Sequence, residues 1–419
     1  MLLRTLGIVW LATAAVAQDA RRHPAGSSDQ GLPIDPLRFR PYAEAADDAR
    51  NEVFRRLWLQ HEAPAEVAAV LPREGPVAFA TGWVHKKRKG GEADGRWFGG
   101  DGRQLPLEKL TDDDAEALLP LLARLRAAPP AFTTPELAVL FQHDLLRAAQ
   151  RLADARNNPD VVRALWATAA ALALPAEALA KLSDPLASAT AANAELRAAL
   201  PQALGGEVKG CREVLRRSTR LFDAEFTCLW SRVFLRHPDG DEALASMLPT
   251  SGDGPTVPIG MGAVLVQGIV ALGADGKAHA TPMIVDVRTQ VLVNRDGLAA
   301  TNQTFTHDGI DFGIWQLERQ DVRTGAAAAF FRSVQADDQD MFRDYGTLKH
   351  TTYRGQCTLC HRVTDTPEPN LAGLPVLRPH AKAAFAVTGD ERRRLAEQQA
   401  QKLFDALAKG PATAGEKAK

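Results

Sequence analysis

Two periods of apolar and polar residues run along this chain, and the change from one to the other falls near residue 206. Before it, the spacing is helical. In residues 43–60, Ala46, Val53, Leu57 and Leu59 fall close to one stripe, as a 3.6-residue turn requires. Residues 111–128 open with Asp112, Asp113, Asp114 and Glu116 and close with Arg124 and Arg126, so charge complements the helix dipole at both ends. Thr134-Pro135-Glu136 joins a capping hydroxyl to a first-turn proline. The helix it predicts carries Leu137, Leu140, Phe141, Leu145 and Leu152 on its apolar stripe, and His143 beside Asp144 reads as packing or surface. Asn157-Asn158-Pro159-Asp160 breaks that helix, and an Ala- and Leu-rich one follows over 161–174. These periods predict a bundle with an aliphatic core.

After residue 206 the pattern turns to aromatic and β-branched runs. Residues 226–235 form one, stopped by His237-Pro238-Asp239-Gly240. Residues 263–271 and 283–293 read as a strand pair around the turn Gly273-Ala274-Asp275-Gly276-Lys277, and 304–317 continues the pattern. A small, mainly antiparallel sheet is expected. Asp286, Asp296, Asp308 and Asp311 read as solvated acids at strand ends and turns, because no fixed-spacing calcium loop contains them, and His279 and His307 read the same way. Residues 326–345 are predicted helical, with Phe330, Phe331, Val334, Met341 and Phe342 as the apolar positions. Pro367, Pro369, Pro375 and Pro379 then cut the chain into loops before an amphipathic helix over 391–409. Near the start, 75–83 reads as a short strand, and the basic run at His85 to Lys89, with the Gly-rich stretch to Gly100, as a solvated loop.

The fold class is therefore α+β: a mainly helical domain is expected over 37–205, a β-rich domain over 206–345 ending in a helix, a segment over 346–409 with a terminal helix, and a disordered polar tail over 410–419. At 419 residues, with 45% hydrophobic and 24% charged residues, the composition is that of a globular protein of two or three domains. A net charge of −1 lacks the basic surplus of a nucleic-acid binder. The N-terminus changes the picture more. Arg4, an apolar run from Leu6 to Ala15 and the small-x-small Ala15-Val16-Ala17 have the form of a cleavable signal over 1–17, with 18–36 a flexible leader. The apolar run is too short for a bilayer, and no later segment has the length of a membrane span. The processed protein is expected to begin at Gln18 and to be periplasmic or secreted.

The chemistry concentrates at Cys357-Thr358-Leu359-Cys360-His361, a C-x-x-C-H pattern. On one helical turn Cys357, Cys360 and His361 project together. Two thiols so placed can add to the two vinyl groups of a haem, and the neutral imidazole can reach the iron from below. The stretch resembles the attachment site of c-type cytochromes. Pro369-Asn370-Leu371-Ala372-Gly373-Leu374 is similar to the Pro-Asn-Leu-x-Gly-Leu segment that follows the haem motif in many small cytochromes c. The resemblance implies covalent haem c on Cys357 and Cys360, His361 as proximal iron ligand, and electron transfer with a redox partner protein. It departs from the small cytochromes in placing the motif near the C-terminus and in having no Met beyond His361. His380 is then the candidate distal ligand, with His350 and Met341 upstream as the others, and an open iron would permit small-molecule or peroxide chemistry instead.

Other readings of the same residues stay open. Cys357 and Cys360 with His380 and His350 have the composition of a structural zinc site, and the two Cys alone could form a disulfide, giving an exported binding or structural protein without enzymatic activity. A thioredoxin-like dithiol fits poorly, because Thr351-Thr352-Tyr353-Arg354-Gly355-Gln356 before the motif is polar. Of the four Cys, the remaining pair, Cys211 and Cys228, is expected either as a disulfide or as buried thiols.

Overall fold

The computed structural model describes residues 40–62, 96–99, 110, 112–199, 211–214, 228–247, 258–292, 310–333, 339–340, 351–352 and 389–410. In order, the first part holds helix α1 (Ala49–Trp58), strands β1 (Leu59–Glu62) and β2 (Arg96–Gly99), and helices α2 (Asp112–Ala127), α3 (Pro135–Asp154), α4 (Pro159–Ala171), α5 (Ala176–Ala180), α6 (Pro185–Ala192) and α7 (Ala194–Ala199). The second holds β3 (Cys211–Val214), β4 (Leu229–Arg236), α8 (Asp241–Met247), β5 (Gly262–Leu272), β6 (Ala278–Leu292), β7 (Ile310–Leu317), α9 (Arg319–Thr324), β8 (Phe331–Ser333), β9 (Gln339–Asp340), β10 (Thr351–Thr352) and α10 (Gly389–Lys409). The protein is α+β, with helices followed by an antiparallel sheet.

Local chemistry explains most boundaries. Thr134 is extended and its Oγ1 accepts the Leu137 N–H at 3.3 Å, while Pro135 takes the first turn of α3. Asn158 stands in the left-handed region (φ 46°) just before Pro159, so the chain cannot run straight from α3 into α4. Strands β3 to β8 form a six-stranded sheet in sequence order, every pair antiparallel. The β5–β6 hairpin turns at Gly273 to Lys277, where the Gly273 N–H donates to the Lys277 carbonyl at 2.8 Å.

Three expectations differ from what is seen. Of the residues expected as a helix over 326–345, those described (326–333 and 339–340) hold a short 3-10 turn and strand, and no α-helix. The helix here is the earlier and shorter α9, which ends on Gly325 (φ 74°), and Phe331 pairs with Leu317 as part of an edge strand. The left-handed glycine stops the helix before the aromatic residues begin. The second difference lies in the Gly-rich stretch expected as a loop, where Arg96–Gly99 forms β2 and pairs with β1. Helix α1 accordingly ends at Trp58, and Leu59 already belongs to a strand. The third is Asp286, which is 2% exposed in the middle of β6 and is paired with Arg288 Nε at 2.7 Å. The expected strand at 75–83 lies outside the described residues, as do Asp296, Asp308 and His307.

Helices and sheet share one core. Phe54, Trp58, Leu118, Phe141 and Leu165 from the helices join Trp230, Val266, Ile269, Met283 and Trp315 from the sheet in a single buried cluster. Residue 206 thus marks a change of secondary structure within continuous packing. Gln142 ties the layers by polar contacts: its Nε2 donates to the carbonyls of Ala169 (3.0 Å) and Leu272 (2.9 Å), and its Oε1 accepts the Leu272 N–H at 3.0 Å. Helix α10 closes the core from the C-terminal side with Ala396, Ala400, Phe404 and Leu407. Its Gln401 and Glu397 side chains accept the N–H groups of Ala278 and Ala280 at 2.9 and 2.8 Å, along a part of β6 that lies beyond its pairing with β7.

One glycine in the sheet is required by close approach. A Cβ on Gly268 would lie 2.2 Å from Trp230 Cζ2 and 2.6 Å from the Met283 carbonyl oxygen. Trp230 cannot swing away freely, because its Nε1 donates to the Thr281 carbonyl at 2.8 Å and Arg393 lies over its ring. Gly268→Ala should therefore cost about 1–3 kcal/mol through overpacking, read as a lower midpoint in chemical denaturation with an unchanged slope.

Candidate functional site

The residues that carry the chemistry in the sequence, Cys357, Cys360, His361 and His380, lie outside the described residues, and so do His350 and Met341. What is described is how the chain enters and leaves their stretch. On the entry side β9 and β10 pair antiparallel, Asp340 with Thr351 and Gln339 with Thr352, and β9 lies against β2. On the exit side the first turns of α10 are held to the sheet. Arg392 Nη1 donates to the Ser231 carbonyl at 3.5 Å, its Nε lies 3.5 Å from Glu213 Oε1, and Arg393 sits 5.1 Å from the centre of the Trp230 ring. The motif's donor set suits haem c: two thiols for thioether bonds and one imidazole for iron, at a spacing a helical turn would bring to one side.

Among the described residues, no group of three or more His, Cys, Asp and Glu is placed to hold a metal ion. No described helix is long and apolar enough to cross a membrane.

The described part does contain a buried ionic cluster that the sequence does not reveal. Asp144 on α3 is 1% exposed and receives a bidentate pair from Arg319 at the start of α9, Nη2 to Oδ1 at 2.6 Å and Nε to Oδ2 at 2.8 Å. The Tyr42 hydroxyl donates to Asp144 Oδ2 and accepts from Arg319 Nε at 2.9 Å. Burial pushes the Asp144 carboxyl up, against the opposing pull of Arg319, Tyr42 and Arg147. Burial, and next the Asp144 charge, hold the Tyr42 hydroxyl well above its ordinary range. The aromatic rings of Phe54 and Phe141 pack edge-on to Tyr42 and enclose the cluster. Its polar atoms are turned on one another, which makes it a tie between three parts of the chain rather than a place where a substrate reacts. The sequence signal available was only an acid and a His inside an apolar helical stripe. His143, its neighbour, is buried at 3% exposure, in keeping with a packing role.

Cys228 is a free, buried thiol, and burial pushes it up to about 12. The pairing with Cys211 does not form. Cys211 is in register with Arg236 on β4, whereas Cys228 precedes that strand's other end. Eight residues of strand separate the two levels, roughly 26 Å at the usual rise, against the roughly 4–7 Å between Cα atoms that a disulfide requires. Residue type had left the pair open; strand register closes it.

Two other acids are lifted as far as about 6. Asp184 caps α6 by accepting the Leu186 N–H at 2.9 Å and also receives the N–H of Ile284 in β6, but its burial lifts it from 3.8 to about 6. Asp321 is lifted to about 6 by burial and by Glu318 beside it. For Asp184 the folded-state value lies above the unfolded one, so the folded protein binds the proton more tightly. The cost of holding the charge is complete above pH 6 and disappears below pH 3.8. Asp184→Asn, which keeps a capping oxygen, should gain on the order of 2 kcal/mol over the wild type at pH 7, and the gain should fade as pH falls to about 4. Urea denaturation of both proteins across that range measures it. A gain that stays constant with pH would show that the Asp184 charge is not the cause.

His279 Nε2 meets Asp275 Oδ1 at 2.9 Å across the β5–β6 turn, an exposed pair that braces the hairpin. No family model, curated protein or solved structure matches this chain.

Proposed function

We propose that this is an exported, monohaem c-type cytochrome-like protein that transfers electrons. The observation that carries the reading is Cys357-Thr358-Leu359-Cys360-His361, a complete haem-attachment pattern in a chain whose N-terminus has the form of an export signal. Cys357 and Cys360 would anchor the group through thioether bonds and His361 would hold its iron, with His380 proposed as the opposite ligand. When bound, haem c supplies a one-electron couple, tuned by the axial ligand and by its surroundings. The chain's part is to fix the imidazole and to set how dry the site is.

The test is one spectrum. Protein matured beside a working haem-attachment system should be red, keep its colour through denaturation and acid–acetone extraction, and give a c-type pyridine haemochrome. A colourless product would end the haem reading, and bound zinc or a Cys357–Cys360 disulfide in it would put the structural reading in its place. Mass spectrometry of the exported protein should find Gln18 at its start. An intact Met1 would remove export from the proposal.

A further inference from the structure

Helix α9 holds a distant part of the chain in place. Residues 40–48 form an irregular strap ahead of α1. The buried Asn51 shapes it locally by accepting the N–H groups of Tyr42 (2.9 Å) and Ala43 (3.3 Å). Its outer attachment is to α9. The Arg40 N–H donates to Gln320 Oε1 at 3.1 Å, Arg323 Nε donates to the Arg40 carbonyl at 2.9 Å, and Arg319 Nε donates to the Tyr42 hydroxyl at 2.9 Å.

The same short helix carries two acids one turn apart, Glu318 at its cap position and Asp321. Asp321 is half-buried, and among the described residues no donor reaches its carboxylate. The charged groups around it are engaged elsewhere. On α9, Arg319 is bound to Asp144 and Tyr42, and Arg323 to the Arg40 carbonyl, with Glu44 Oε1 at 3.8 Å. On the strap, Arg40 Nη1 donates to the Glu44 carbonyl at 2.9 Å, Asp48 pairs with Arg50 at 2.8 Å, and Asp47 is exposed. On α3, against which α9 packs, Arg147 lies beside Asp144 and 5.9 Å from the centre of the Trp58 ring. The other neighbour, the turn Ala327–Ala329, brings no charge. Burial first, and the Glu318 charge second, therefore lift Asp321 to about 6.

We propose that the contact between the strap and α9 is a pH-sensitive clasp, tight in acid and loosened when Asp321 ionises beside Glu318. The sign follows from where the proton is held. The folded-state value lies above the ordinary 3.8, so the closed clasp binds the proton more tightly than the open one, in which α9 comes away and Asp321 meets water. The cost of the charge is complete above about 6 and gone below 3.8, so closure weakens as pH rises through that window. Asp144 is lifted by burial as well, but there Arg319, Tyr42 and Arg147 answer the charge. No described group answers Asp321. The device is independent of haem and of export.

Native-state hydrogen exchange of the full chain at about pH 5 and about pH 7.5, corrected for the intrinsic pH dependence of exchange, tests it. Peptides covering 40–48 and 319–324 should open roughly three- to tenfold more at the higher pH. The upper figure is the linkage limit for this shift, and solvent screening lowers it. The peptide 137–152 in α3 should move less. Asp321→Asn should abolish the difference, holding both peptides at their acid level of protection at the higher pH. Asp184→Asn, on a helix packed against the same 327–329 turn, should leave it intact. Glu318→Gln keeps Asp321 and removes only the like charge, so it should shrink the difference and move its midpoint to lower pH. A difference that survives Asp321→Asn or Glu318→Gln unchanged, or a wild type whose 40–48 peptide exchanges alike at both pH values, would overturn the clasp.

Discussion

Arg319→Met should destabilise the protein by about 3–5 kcal/mol, among the largest effects of any single substitution in the described fold. The reason is what remains behind. Asp144, 1% exposed, loses both guanidinium bonds and is left with the Tyr42 hydroxyl and the nearby Arg147 charge, which replace neither bond. Asp144→Leu, introduced together with Arg319→Met, should recover most of the loss, because two apolar groups leave no buried charge to satisfy. Urea denaturation of the two single variants and the double variant measures this. If the double variant is no better than the worse single, the cost lies in packing around Phe54 and Phe141 rather than in the ion pair.

On the proposed haem reading, Cys357→Ala with Cys360→Ala should abolish covalent haem entirely, while leaving the described fold in place. Thioether bonds need the thiols, so no vinyl adduct remains to survive denaturation. His361→Ala should act differently, removing the proposed proximal ligand of the iron and leaving little stable haem protein. His380→Ala should keep the covalent group and change the low-spin spectrum. An unchanged spectrum in that variant would move attention to His350, to Met341 or to an iron with an open position. Absorption spectra before and after extraction with acid acetone separate these outcomes.

The helical part and the main strand pair are legible in the sequence because their signals are local. Thr134-Pro135 places the start of α3, and the turn at Gly273 to Lys277 places the β5–β6 hairpin. Helix α10 is equally plain from its stripe, and Phe404 and Leu407 are buried as that stripe requires. The misses have physical causes. Phe330 and Phe331 fit a helical stripe, but the conformation of Gly325 ends α9 first and Phe331 pairs in the sheet. Helix α9 itself, Arg-Gln-Asp-Val-Arg-Thr, has one apolar residue and offers no period to read. Nothing local announces that Asp144 will meet Arg319, 175 residues later. Nor does composition say that Cys211 and Cys228 stand at opposite ends of a strand pair. The Cys-x-x-Cys-His stretch is the reverse case: its whole signal lies in five consecutive residues.

The cover that α10 lays over β6 bears on how this protein behaves in crowded solution. The N–H groups of Ala278 and Ala280 are held by Gln401 and Glu397, two side chains of a helix, and not by a neighbouring strand. An open strand edge recruits other open edges, and neither alanine carries a charge to repel an incoming chain. The last described helix thus acts as a guard against aggregation. A protease nick that released it would turn a covered edge into a template for intermolecular β-pairing, with self-association appearing before any loss of sheet structure.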